Sequence, residues 1–363
     1  MKPHVGVALL LALAVAPRAQ EAVDLDAMTS SPPVARKAGD GIRLGDIRFN
    51  LYFDAGLSWS KETAAGSKSD LRFVQQHTSL LARVATSDGI EAYADILNPG
   101  QVFEGTIPLA FFAPSLSDLP VVGKAAIKGG RMIVPFGDFE EHPIYGGAVG
   151  NSALLRDVVW SDYGMGLIVP LGKAKTELYV VNGIRAYDSI AEFGGSWSEP
   201  NELKGIGCRL RLDLFPGSFV TGSAYHDFLA LGDSLVDTPQ DRATLLGLDA
   251  GLRTGPISWR TGAAKGWIAA RDISDYQKWG WYAEGKWSFD ETWALRLRGG
   301  QVDPDSRDKN DLDQTNVNLA GIWTRGPVDT RLTIYRNFAS RDPNDTERDI
   351  NKYRVLLETY LSL

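Results

Sequence analysis

The sequence predicts an all-β fold, a transmembrane antiparallel β-barrel of about 16 strands, and three observations carry that prediction. Apolar residues recur at every second position through most of the chain, which is the period of a strand with one apolar face. The longest apolar run, Val5 to Ala16, has twelve residues, whereas a spanning helix needs about 20. The chain also ends on an alternating segment, so a last strand is available to pair with a first and close a ring.

Composition agrees. The 363 residues are 44% hydrophobic, yet mean hydropathy is −0.15, so the apolar half is dispersed along the chain. Ten Trp, twelve Tyr and fourteen Phe exclude a disordered polymer. A lone cysteine, Cys208, excludes an intrachain disulfide, and the scattered His4, His77, His142 and His226 form no metal-ligand motif. With 38 basic and 45 acidic residues the net charge is −7, which argues against nucleic acid as a partner.

In chain order, residues 1–19 (MKPHVGVALLLALAVAPRA) have the lysine, the apolar stretch and the small residues of a cleaved secretory signal peptide. Residues 20–40, with Ser30, Ser31, Pro32 and Pro33, are expected to be a linker, and 41–363 the barrel. The barrel opens with Ile47, Phe49, Leu51, Phe53, Ala55, Leu57 and Trp59 alternating with polar or small residues. Strands are expected near 45–59, 70–86, 89–97, 124–134, 162–171, 174–182, 203–215, 218–228, 244–254, 257–267, 278–289, 292–302, 313–325, 328–338 and 350–363. That is fifteen, and since bacterial single-chain barrels have an even number, sixteen are expected, with one strand hidden. Short turns (Gly172-Lys173, Pro216-Gly217, Gly255-Pro256, Gly326-Pro327) alternate with long polar connections, the layout of short periplasmic turns and longer extracellular loops.

Alternation alone does not separate a barrel in lipid from a soluble sandwich. The strands are longer than usual, their apolar faces end in Trp59, Trp259, Trp279, Trp293 and Trp323, and their other faces are strongly charged, all of which favour lipid outside and water inside. A secreted soluble all-β binding protein stays open as the alternative at this level.

Four segments, LGDIRFNLYFDAG, KGGRMIVPFGDFEEHP, ELYVVNG followed by KGIGCRLRLDLFP, and the run from Trp281 to Leu363, together resemble the porin O and P family, the phosphate-selective porins of Gram-negative bacteria and their relatives. The resemblance covers most of the chain after the expected signal peptide. It implies a sixteen-stranded barrel, commonly a homotrimer in outer-membrane lipid, whose phosphate-selective members line the pore with arginines and a lysine cluster. The chain departs from the usual aromatic last residue of such proteins by ending in Leu363.

If the apolar faces meet lipid, the inward faces hold a candidate anion track of Arg209, Arg211, Arg253, Arg260, Lys278, Lys286, Arg296, Arg298 and Arg331. Asp213, Asp249, Glu284, Asp329 and Glu358 share those faces, so a salt-bridged network that stiffens the wall is an equal reading for each arginine. Acidic residues gather in expected loops, for example Asp303 to Asp313 and Asp342 to Asp349. Two insertions are candidates for a constriction: 98–123, with Phe111 and Phe112, and 137–160, with Glu140 and Glu141. A surface loop is the alternative for both. Neither Glu140-Glu141-His142 nor the His77/Ser79 pair reaches the ligand or catalytic arrangement that metal or nucleophilic chemistry needs, so no metal, cofactor or catalytic residue is expected. The expected function is a water-filled diffusion channel for small hydrophilic solutes or ions with at most mild anion preference. The alternative is a plugged barrel serving as an enzyme or binding platform.

Overall fold

A computed structural model describes residues 42–44, 47–62, 69–74, 78–86, 89–95, 103–112, 114, 119, 121–137, 161–183, 185–186, 204–228, 230–231, 242–269, 275–303, 306, 314–326, 328–339 and 352–362. The expected signal peptide, the linker, His77, Glu140 and Glu141 lie outside them.

Besides three short strands, Ile42–Leu44 and the parallel pair Arg185–Ala186 and Ala230–Leu231, the barrel strands are β1 (Ile47–Glu62, to which Ile42–Leu44 is antiparallel), β2 (the two segments Asp70–Val74 and Thr78–Ala85, both paired with β1), β3 (Glu91–Asp95), β4 (Phe103–Pro108), β5 (Ala126–Ile133), β6 (Ser161–Leu171), β7 (Ala174–Val181) and β8 (Gly205–Phe215). They continue as β9 (Ser218–Phe228), β10 (Arg242–Thr254), β11 (Ile257–Ala269), β12 (Tyr276–Ser288), β13 (Trp293–Asp303), β14 (Gln314–Arg325), β15 (Val328–Ala339) and β16 (Lys352–Ser362). Each pairs antiparallel with the next. The ring closes because β16 also pairs with β1, Leu357 opposite Leu57. The two segments of β2 differ by one residue in their register against β1, Val74↔Gly56 and Thr78↔Phe53.

The hidden sixteenth strand is β4. It lies inside 98–123, so that range is not one insertion, and the expectation is corrected. The sequence there, FEGTIP, is only six residues long, and its Gly105 and terminal Pro108 obscure the alternation.

Tight turns occupy one end of the barrel. Gly172, Gly217, Gly255 and Gly326 have φ of 68°, 78°, 56° and 58°, the left-handed backbone that two-residue hairpins require. The longer connections, 134–160, 182–204, 229–241, 304–313 and 340–351, join strands at the other end.

The two faces are inverted relative to a soluble protein. Leu246, Leu248, Leu295, Leu297, Leu332 and Ile334 are 38–60% exposed, whereas Asp249, Arg296, Arg298, Arg331 and Thr333 on the opposite faces are 3–4% exposed. Leaving one such aliphatic side chain in water forfeits about 1.5–3 kcal/mol, so a belt of them is stable only against hydrocarbon. This arrangement rules out the soluble alternative and makes the barrel a transmembrane one. Trp259, Trp287, Phe289 and Trp293 ring the turn end of the outward face, and Tyr163, Trp267 and Trp281 stand towards the loop end. Strand tilt and amphipathic rings place such residues at the two bilayer interfaces.

Candidate functional site

Because alternation is kept from β7 to β16, the inward side chains follow from strand parity, and the candidate anion track falls on inward faces at all nine positions. The structure divides those positions into two groups.

One group is built into the wall. Arg209 donates to Glu177 (2.6 Å) and to the carbonyl of Gly137 (3.0 Å), while Lys175 reaches the same Glu177 at 3.0 Å. Arg298 pairs with Glu284, its cross-strand partner between β13 and β12. Arg331 lies 3.5 Å from Asp329, and Lys278 and Arg296 are buried. Lys128 and Glu104, on β5 and β4, add an ion pair at 2.9 Å. Charges this close and this buried hold each other in place, and breaking one pair strands its partner in a low-dielectric wall.

The second group opens on the turn end. Arg211, Arg253, Arg260 and Lys286, joined by Lys173 from the β6–β7 turn, line a cavity of ≈ 600 Å3 that contains one carboxylate, Asp213. Arg211 donates to that carboxylate at 2.9 Å. The Phe219 ring lies under both guanidinium groups, 4.1 Å from Arg211 and 5.3 Å from Arg260, so two cations share one aromatic platform. Five cations and one carboxylate line this recess, with Glu284 opposite Arg260 across the strands, so positive charge is in excess at this mouth.

Towards the loop end the lumen carries an apolar seat. Met132, Tyr179, Tyr225, Leu245, Ile268, Tyr282 and Val302, all inward, form one cluster with Val134 and Phe136 from the segment that follows β5. That segment turns inward: Gly137 donates its N–H to Ser223 Oγ at 2.9 Å, and the Phe136 ring packs on Gly247, where an added Cβ would stand 3.0 Å from it. The described part of the connection after β5 is therefore inside the barrel. Glu140 and Glu141, further along it, lie outside the described residues.

Phe111 and Phe112 are elsewhere. They form a short helix, α1 (Leu109–Phe112), directly after β4 at the turn end, exposed and set edge to face at 5.5 Å. They belong to the connection that joins β4 to β5 across the turn end rather than to a loop entering from the loop end.

Sequence reasoning missed Lys173, Lys175, Lys128 and Glu177. Lys173 sits in a turn, where strand parity assigns no face. In β5 and β7 (AIKGGRMI and AKTELYVV) apolar residues fall on both faces, because the inward side of these strands carries the apolar seat as well as charge. A lysine two residues from a glutamate in β7 was the available signal.

The sequence matches no family model and no curated protein. The fold is similar to solved structures. An anion-selective porin from Comamonas acidovorans aligns with TM-score 0.61 at 11% identity, covering 87% of this chain and 99% of that one. The trimer form of OmpT, an outer-membrane protein of Vibrio cholerae, aligns with TM-score 0.55 at 8% identity over 88% and 100%. OmpF of Salmonella typhi, solved with daunomycin, aligns with TM-score 0.56 at 10% identity over 88% and 98%. Identities this low establish architecture alone, and with the closed ring, the inverted faces and the polar lumen they make this chain a porin-like transmembrane β-barrel.

Proposed function

We propose that the protein is an outer-membrane porin, a water-filled diffusion channel for small hydrophilic solutes or ions with a mild preference for anions. The observation that carries this reading is the turn-end cavity with five cations and one carboxylate. The candidate anion track is narrower in this proposal than in the sequence: Arg211, Arg253, Arg260 and Lys286 attract the ion, and Arg209, Arg296, Arg298 and Arg331 hold the wall. Arrival through residues 1–19 as a cleaved signal peptide, short turns towards the periplasm and kinship with the porin O and P family belong to the same proposal. So does a homotrimer. The outward positions of β3 to β5 include Ala92, Ala94, Gly105 and Gly129, a flatter surface than the Leu- and Trp-bearing strands β10 to β15, and a second copy can approach it closely.

Planar-bilayer recording of the purified protein tests the proposal. Discrete conductance steps and a reversal potential on the anion side are expected in a salt gradient. The triple change Arg253→Gln, Arg260→Gln, Lys286→Gln is expected to lower the anion-to-cation permeability ratio several-fold, and Arg298→Lys to leave it unchanged. A silent barrel would rule out the channel. Conductance with cation selectivity untouched by the triple change would rule out the anion preference.

A further inference from the structure

We infer that the outward face where β1, β16 and β15 meet, at the loop end, is a docking site for the phosphorylated headgroup of an outer-leaflet lipid, held by Lys61 and Arg336. The inference rests on the outer-membrane reading above. Strand register places the two cations on either side of one tyrosine: Tyr353 of β16 is opposite Lys61 of β1 and opposite Arg336 of β15. At about 4.8 Å between neighbouring strands, the two backbones stand roughly 10 Å apart, a span that one phosphate-bearing sugar headgroup bridges.

All of these residues point outward. Leu57, Trp59 and Lys61 are exposed, while Ser58 and Ser60 between them are buried. On β15, Leu332, Ile334 and Arg336 are likewise exposed, with Arg331 and Thr333 buried. Arg336 lies 4.1 Å over the Phe338 ring and 4.7 Å over the Tyr353 ring, so two aromatic faces hold the guanidinium in position. Around the pair, the described outward residues Trp59, Leu71, Ile334, Val317 and Val355 include no carboxylate.

Height decides the partner. Arg336 is eight residues along β15 from its turn-end start at Val328. At about 3.3 Å per residue and a tilt of about 40°, that is roughly 20 Å up the barrel, near the far edge of an apolar band about 25 Å tall. A cation at that edge, on the lipid side, meets headgroups and not acyl chains. The complementary chemistry is a lipid phosphate, and a bis-phosphorylated lipid A supplies two for the two cations. The cation–aromatic pair on β11 is different: Lys265 lies 5.2 Å from the Trp267 ring, but its register partner Trp279 donates to Asp303 at 2.7 Å, so a carboxylate shares that surface.

The test uses the full chain folded in detergent micelles and titrated with bis-phosphorylated lipid A, with retained lipid counted by native mass spectrometry. Lipid A is expected to bind in preference to phosphatidylcholine. Lys61→Gln with Arg336→Gln is expected to weaken it about thirty-fold, since each interfacial cation contributes about five-fold. Arg336→Lys should retain most of the affinity, and Lys265→Gln should change it little. Each variant is first shown to migrate heat-modifiably on gel and to conduct, so a folding or pore failure is separated from loss of the lipid. Four results would overturn the inference: no preference over phosphatidylcholine, equal retention by the double variant, displacement by inorganic phosphate as readily as by lipid A, or a photo-crosslinker at Tyr353→Cys, in a Cys208→Ser background, that joins two protomers.

Discussion

At the residue scale the lumen separates charges that hold the wall from charges that face the solute, and the two respond differently to substitution. Arg298 is buried against Glu284, so Arg298→Ala leaves that carboxylate with Arg260, opposite it on β11, as its remaining cross-strand cation and is expected to destabilise the barrel by about 1–3 kcal/mol, read from the urea midpoint in vesicles. Replacing both partners together, Arg298→Met with Glu284→Leu, should recover most of that loss, because the cost comes from the stranded charge. An unchanged midpoint in the single variant would show that water reaches Glu284 and that the pair is not structural. The mouth cations predict the opposite pattern. Arg253 and Lys286 line an open cavity, so neutralising them should shift reversal potential and leave the unfolding midpoint within about 0.5 kcal/mol.

At the element scale the inward strands interlock through aromatic rings laid over glycines of the neighbouring strand. Tyr179 lies opposite Gly207, Phe219 opposite Gly251 and Tyr282 opposite Gly262, and an added Cβ at each glycine would come within 2.2–2.3 Å of a neighbouring side-chain atom. The ring covers the ladder where the glycine has no side chain to do so. Gly207→Ala is therefore expected to cost about 1–3 kcal/mol by forcing Tyr179 from its place. Gly222→Ala, where an added Cβ meets nothing within 4 Å, should be neutral or slightly stabilising. Paired urea titrations of the two variants separate this steric account from a general intolerance of strand glycines, under which both would lose stability alike.

At the scale of the whole molecule, stability depends on a closed ring whose outer surface meets only hydrocarbon. Leu357, exposed on β16 and paired with Leu57 of β1 and Leu332 of β15, stands at the closing seam. Leu357→Arg places a charge there in lipid, and a cost of about 2–4 kcal/mol is expected if the position is near the midplane. The heat-modifiable fraction after refolding into vesicles measures it, and refolding at the wild-type yield in thick bilayers would place Leu357 outside the apolar band.

Much of this architecture was legible in the chain because strand parity is a local property. Wherever one face meets lipid and the other water, every second residue reports its side, and Leu295, Arg296, Leu297 and Arg298 disclose both faces of β13 without any tertiary information. The rule fails where both faces are apolar or small, and so β4 went unseen and the inward charges of β5 and β7 were missed. Turns carry no parity, so Lys173 could not be assigned. What the sequence by itself determined is the fold class and the side of the wall on which each long-strand residue stands. Which inward cations are neutralised by a partner, which gather at one mouth, and which outward ones meet across the seam depend on register between strands far apart in the chain, as Lys61 and Tyr353 are, and only the closed tertiary structure decided them.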